Sequence, residues 1–132
     1  MIISAKVTNS YQKHSVTVKT NDNKQTLSIP GKKEGLGSAI NGGELLFLAL
    51  ATCFCNDIYR EAKKKGINIT KVEVEASGEF SSEGEPGHSI TYQAKVEGDA
   101  SKVEIDELIR HTDKVSEIQN TLRKGVPVKL AH

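Results

Sequence analysis

Two thiols, Cys53 and Cys55, are the side chains of this 132-residue sequence best placed by type to do covalent chemistry. A thiol becomes a nucleophile as its thiolate, so a reactive cysteine needs partial exposure and a positive potential. Both cysteines lie at the end of an apolar run, Leu45 to Cys55, that reads as helix. Successive helix positions rotate by about 100°, so the two sulfurs point roughly 200° apart and cannot form a disulfide without unwinding the helix. Cys53 shares a face with Leu46, Ala49, Leu50 and Asp57, and Cys55 with Leu48, Ala51, Thr52, Ile58 and Tyr59. Cys53 lies about three turns into the helix, whereas the helix dipole fades within the first turn, so its activation has to come from a neighbouring side chain. The alternative for either residue is a small buried apolar side chain.

Other groups with chemical potential read as structural. Asn41-Gly42-Gly43-Glu44 has the spacing of a capping box, with Asn41 accepting from an early backbone N–H and Glu44 reaching back. His14, His88, His111 and His132 have no metal-ligand spacing among themselves or with the cysteines, so no metal and no cofactor are expected. Gly84-Glu85-Pro86-Gly87 is a turn without the Gly-Lys-Ser/Thr ending of a phosphate loop.

Eighteen Lys and Arg against seventeen Asp and Glu give a net charge of +1, and beyond Lys63-Lys64-Lys65 no segment concentrates one sign. That balance argues against nucleic acid or a membrane surface as partner. The apolar run is well short of the ~18–20 residues of a bilayer span, and the N-terminus lacks the pattern of a signal peptide. Two cysteines so close together fit a reducing compartment, and the expectation is a soluble, cytoplasmic protein of one domain, residues 1–132. Hydrophobic residues make up 36%, aromatics 5%, and Trp is absent. Such a thin core makes further burial in an oligomer plausible.

The elements that must position these residues follow from periodicity. Residues 2–30 alternate as strands: Ile3, Ala5 and Val7, then Val16 and Val18, then Leu27 and Ile29 after the Asn21-Asp22-Asn23 turn. A Gly-rich, charged connection over residues 30–38 leads to the helix that Asn41 opens, which should run to Lys65 and stop at Gly66. Its first half, residues 45–55, is apolar on every face and implies burial all round, by a sheet on one side and another helix or a second subunit on the other. Residues 67–80 and 88–97 alternate as a long hairpin around a polar loop. Ser101 to Glu104 opens an amphipathic helix with Ile105, Leu108, Ile109 and Thr112 inward; Ser116 to Gln119 reads as a third capping box, whose short helix ends at Gly125 before a last strand, Val126 to Leu130.

Asn41-Gly42-Gly43-Glu44-Leu45-Leu46, the run into Ala51-Thr52-Cys53-Phe54, and Ile118 to Arg123 followed by Val126-Pro127-Val128 resemble the OsmC/Ohr family, the osmotically inducible protein C and organic hydroperoxide resistance proteins. The order and spacing match over nearly the whole chain, as a divergent member. The resemblance implies an α+β, OsmC-like fold: N-terminal antiparallel strands, a long buried central helix, a β-hairpin, two further helices and a final strand, in an intertwined homodimer with sites at the subunit interface. It also implies reduction of organic hydroperoxides or peroxide, with Cys53 at the peroxidatic position.

Three departures accompany the match. Ser116-Glu117 stands where the resolving Cys-Pro pair belongs, and the usual Asn-Pro-Glu reads Asn41-Gly42-Gly43, with the acid one place later as Glu44. Where the family draws an Arg from its N-terminal sheet, this chain offers Lys13 and His14, neither of which matches the planar, always-charged guanidinium. The expected catalytic set is therefore Cys53, Glu44, Lys13 and His14, with a hydroperoxide as substrate and an external thiol as reductant. The alternative is a non-catalytic dimer that binds a small apolar ligand in the interface cleft.

Overall fold

The computed structural model describes residues 1–131 and follows the order β1 (Ile3–Ser10), β2 (Lys13–Thr20), β3 (Asn23–Leu27), α1 (Gly42–Lys64), β4 (Ile69–Glu79), β5 (His88–Gly98), α2 (Lys102–Val115), α3 (Glu117–Lys124). This is the expected α+β arrangement. The chain divides into two compact units, Met1–Leu45 and a second beginning at Leu46.

In the first unit β1, β2 and β3 form an antiparallel meander in which Val7 pairs with Val16 and Val16 with Leu27. Every residue of β1 is exposed. The connection to α1 is tied to this sheet by Asn9, whose side chain both donates to and accepts from the Gly37 backbone, at 3.2 and 2.9 Å.

α1 begins where the Asn41 box places it: Glu44 N–H donates to Asn41 Oδ1 at 2.8 Å, and Asn41 N–H to Glu44 Oε1 at 3.0 Å. Gly66, at φ 70°, turns the chain out of the helix in the left-handed conformation that glycine adopts freely. In the second unit β4 and β5 pair antiparallel, with Val72 opposite Val96, Val74 opposite Ala94 and Ala76 opposite Tyr92. That face packs on Phe54, Ile58 and Ala62 of α1 and on Leu108 of α2, the buried core of the unit. Phe54 meets Tyr92 edge to face, with ring centroids 4.8 Å apart. Gly78 is required by close approach: a Cβ there would lie 2.7 Å from the Phe47 ring.

Within this chain β4, β5 and α2 cover one stripe of α1: Leu50, Phe54 and Ile58 are inside, while Leu48 is 59% exposed. Two expectations are corrected. Ser116 does not form a third capping box; its hydroxyl turns back and donates to the Thr112 carbonyl at 2.8 Å. Val126 to Leu130 carries no regular secondary structure, with Val128 98% exposed, so the expected final strand is not formed among the described residues.

Candidate functional site

Cys53 lies on the buried flank of α1, partly accessible, and like Cys55 it is a free thiol. Its Sγ–H donates to Asp57 Oδ2 at 3.3 Å, one turn further along. The other Asp57 oxygen, Oδ1, is 3.2 Å from Arg60 Nη1, and the same Nη1 donates to Glu117 Oε1 of α3 at 2.9 Å. Residues 53, 57 and 60 are spaced i, i+4, i+7, which keeps thiol, carboxylate and guanidinium on one helix face.

α3 is brought to this face by several bonds. Gln119 Nε2 donates to the Leu50 carbonyl at 3.0 Å, Arg60 Nη2 donates to the Val115 carbonyl at 3.3 Å, and Asn120 Nδ2 donates to the Lys114 carbonyl at 2.9 Å. The Tyr92 hydroxyl donates to Asp113, which also takes Arg123 Nη2 at 2.6 Å, so β5, α2 and α3 are joined. These bonds set the first turn of α3, with Glu117 and Ile118, on the Cys53 side of α1. Gln119 Oε1 is buried without a hydrogen-bond partner among the described residues.

Burial pushes the Cys53 thiol above its ordinary value; the Ile118 N–H opposes this, and the Asp57 and Glu117 carboxylates add to it. Glu117 is held below the usual carboxylate range by its own backbone N–H and by Arg60, against the effect of burial. Behind Arg60, Glu61 is held at about 2 by bonds from Arg60, His111 and Lys64. The sulfur therefore rests protonated, facing a carboxylate acceptor, with the cation one group removed. The ligand atoms of Cys53, Asp57 and Glu117 lie within 4.8 Å of one another, and the positive charge that meets the two carboxylates is Arg60.

The other residues expected at the site are engaged as follows. Glu44 serves the Asn41 capping box. Lys13 and His14 open β2 in the N-terminal unit, where Asn9 Nδ2 donates to the Lys13 carbonyl at 3.3 Å and meets His14 Nδ1 at 2.9 Å. Cys55 lines a shallow hollow with Ala51, Thr52, Asn56 and Val74. His111 Nε2 lies 2.8 Å from Glu61 Oε1, His88 bonds Ser81 and Ser89, and His132 lies outside the described residues. Sequence reasoning placed Asp57 on the Cys53 face without giving it a role, and it missed Arg60, although Asp57 to Arg60 is a helical i, i+3 pair. Nothing in local spacing signals Glu117 or the Ile118 N–H, which come from a helix that begins some sixty residues later.

The family model described as OsmC-like protein matches residues 35–131. No curated protein matches the chain. Among solved structures, an OsmC like protein from Mycoplasma pneumoniae is similar with TM-score 0.64 and 23% identity, over 91% of this chain and 87% of that one. An organic hydroperoxide resistance protein OsmC, predicted redox protein, from Legionella pneumophila has TM-score 0.63 and 21% identity, over 98% and 95%. An organic hydroperoxide resistance protein from Elizabethkingia anophelis has TM-score 0.63 and 19% identity, over 98% and 94%. These likenesses show the fold, and with the family match over most of its length the chain belongs to the OsmC-like protein family.

Proposed function

We propose that the protein is a thiol-dependent hydroperoxide reductase with Cys53 as its peroxidatic residue. The observation that carries this is the setting of Cys53: a partly accessible free thiol on the helix that carries the packed core, hydrogen-bonded to an Asp57 carboxylate that is itself paired with Arg60. Of the influences on the thiol, the Ile118 backbone N–H is the one that favours the negative charge that develops as the sulfur attacks. Sulfur attacks the distal peroxide oxygen, an S–O bond forms as the O–O bond breaks, and Cys53 becomes a sulfenic acid while the peroxide leaves as an alcohol. Ser116, in the place of a resolving cysteine, cannot form a disulfide. One external thiol therefore condenses with the sulfenic acid, releasing water, and a second releases Cys53 as a thiol and leaves as a disulfide with the first.

The relatives named for organic hydroperoxide resistance support the substrate class. We propose further that the chain works as a homodimer in a reducing, cytoplasmic setting: Leu45 and Leu48, 38% and 59% exposed on α1, are the apolar surface a second copy would cover. Among the described residues no helix is long and apolar enough to cross a membrane. Burial, together with the Asp57 and Glu117 carboxylates, holds the sulfur protonated and favours a second reading, a non-catalytic dimer that binds a small apolar ligand. Cumene hydroperoxide consumption with dithiothreitol as reductant decides between them. Cys53→Ser should abolish turnover and Cys55→Ser should retain it; equal turnover by wild type and Cys53→Ser rejects the reductase.

A further inference from the structure

We propose that Asp57 is a catalytic residue that takes the Cys53 proton as the sulfur attacks and delivers it to the departing alkoxide, and that Arg60 is the positioning residue that aims Asp57 for this transfer. The proposal rests on the hydroperoxide reading above and names groups beyond it.

The geometry divides the two oxygens of one carboxylate between two tasks. Oδ2 accepts from the thiol at 3.3 Å, and Oδ1 is held 3.2 Å from Arg60 Nη1. Arg60 is itself fixed from four directions: Asp57, Glu117 Oε1 at 2.9 Å, Glu61 Oε2 at 2.8 Å and the Val115 carbonyl at 3.3 Å. A guanidinium so restrained keeps the Asp57 plane oriented, which a flexible ammonium does less well. Asp57 is 6% exposed, so water is a poor competitor for its lone pairs.

The chemistry needs such a group. An alkoxide is a poor leaving group unless it is protonated as the O–O bond breaks, and the thiol must lose a proton as its S–O bond forms. One carboxylate can do both if it touches the sulfur, returning to its starting state when Cys53–SH and ROOH have become Cys53–SOH and ROH. Among the described residues, the charged groups about the sulfur are Asp57 on α1, with Arg60 behind it, and Glu117 on α3. Of the two carboxylates, Asp57 is the one hydrogen-bonded to the thiol, while Glu117 is engaged by Arg60.

The test uses the full chain with Cys55→Ser, so that iodoacetamide and hydroperoxide both report on Cys53. Alkylation requires ionisation alone, whereas oxidation also requires proton delivery. Asp57→Asn removes a negative charge beside the sulfur and should speed neutral-pH alkylation by roughly threefold to tenfold, with its pH profile displaced to lower pH. The same substitution should slow sulfenic acid formation with cumene hydroperoxide by about 10- to 100-fold. Arg60→Gln should slow both reactions, and Arg60→Lys should restore alkylation more fully than oxidation. Glu117→Gln leaves the Asp57 acceptor in place and keeps a side-chain oxygen for Arg60, so it should speed alkylation and slow oxidation far less than Asp57→Asn does.

Parallel changes of the two rates in Asp57→Asn, or oxidation slowed as much in Glu117→Gln as in Asp57→Asn, overturn the assignment. Should Asp57→Asn fail to fold, the contrast between Arg60→Lys and Glu117→Gln still decides it: equal rescue of both rates by Arg60→Lys rejects the positioning role. A wild type whose Cys53 never oxidises overturns the hydroperoxide reading and the relay together, whereas an oxidising wild type with parallel rates in the variants overturns the relay alone.

Discussion

The N-terminal meander and the unit that begins at Leu46 are both built around antiparallel strands, but they bury very different amounts of side chain. In the meander β1 is exposed at every position, and Val16, at 7%, is its one buried hydrophobic residue. In the second unit Phe54, Ile58 and Leu108 are each at 0%, and the β4–β5 hairpin alternates partly buried and exposed positions along its length. A ladder of backbone bonds with little apolar burial gives a sheet small stability of its own. The difference teaches where precision is available: Cys53, Asp57 and Arg60 stand on the helix that carries the packed core, and rigid elements hold a reactive geometry better than loops or thin sheets.

The largest effect should come from removing the centre of that core. Phe54→Ala should cost about 3–5 kcal/mol in denaturant unfolding, through lost transfer energy and a residual cavity. A cost below ~1 kcal/mol would mean that the second unit is not held by this cluster.

The next effect is in pH. Glu61 is held at about 2 by Arg60 first, then His111 and Lys64, from an ordinary 4.5. A lowered carboxyl contributes stability that is fully present above about 4.5 and is lost as pH falls toward 2. Wild type should therefore lose stability across that window, and Glu61→Gln should be destabilised at neutral pH with a flatter profile below 4.5. Identical acid profiles would remove Glu61 from the account.

The smallest effect belongs to the meander. Val7, 59% exposed, should tolerate Val7→Ala within about 0.5 kcal/mol. If the cost is instead larger and grows with protein concentration, a second copy covers this sheet in solution. That result would sharpen the comparison into one between a core within the chain and a core between chains.

Much of this was legible in sequence because local physics fixes it. The Asn41–Glu44 box and Gly66 bound α1 to within a residue, and the 3.6 period placed Cys53 and Asp57 on one face. Legibility fails where distant parts of the chain decide. Ser116 has the residues of a capping box, but its hydroxyl is taken by the Thr112 carbonyl of the helix before it. Val126 to Leu130 alternates like a strand, yet a strand needs an edge to pair with, and no edge of this chain receives it among the described residues. Glu117 reaches Arg60 across 57 positions of sequence, a separation that no periodicity reports.

The central claim, that Cys53 is a redox-active thiol, is tested most directly by peptide mass spectrometry after brief exposure to cumene hydroperoxide with a sulfenic acid trap. The expected result is one trap adduct on the peptide that carries Cys53, lost in Cys53→Ser and kept in Cys55→Ser. A wild type that gains neither oxygen nor adduct at Cys53 would contradict the account.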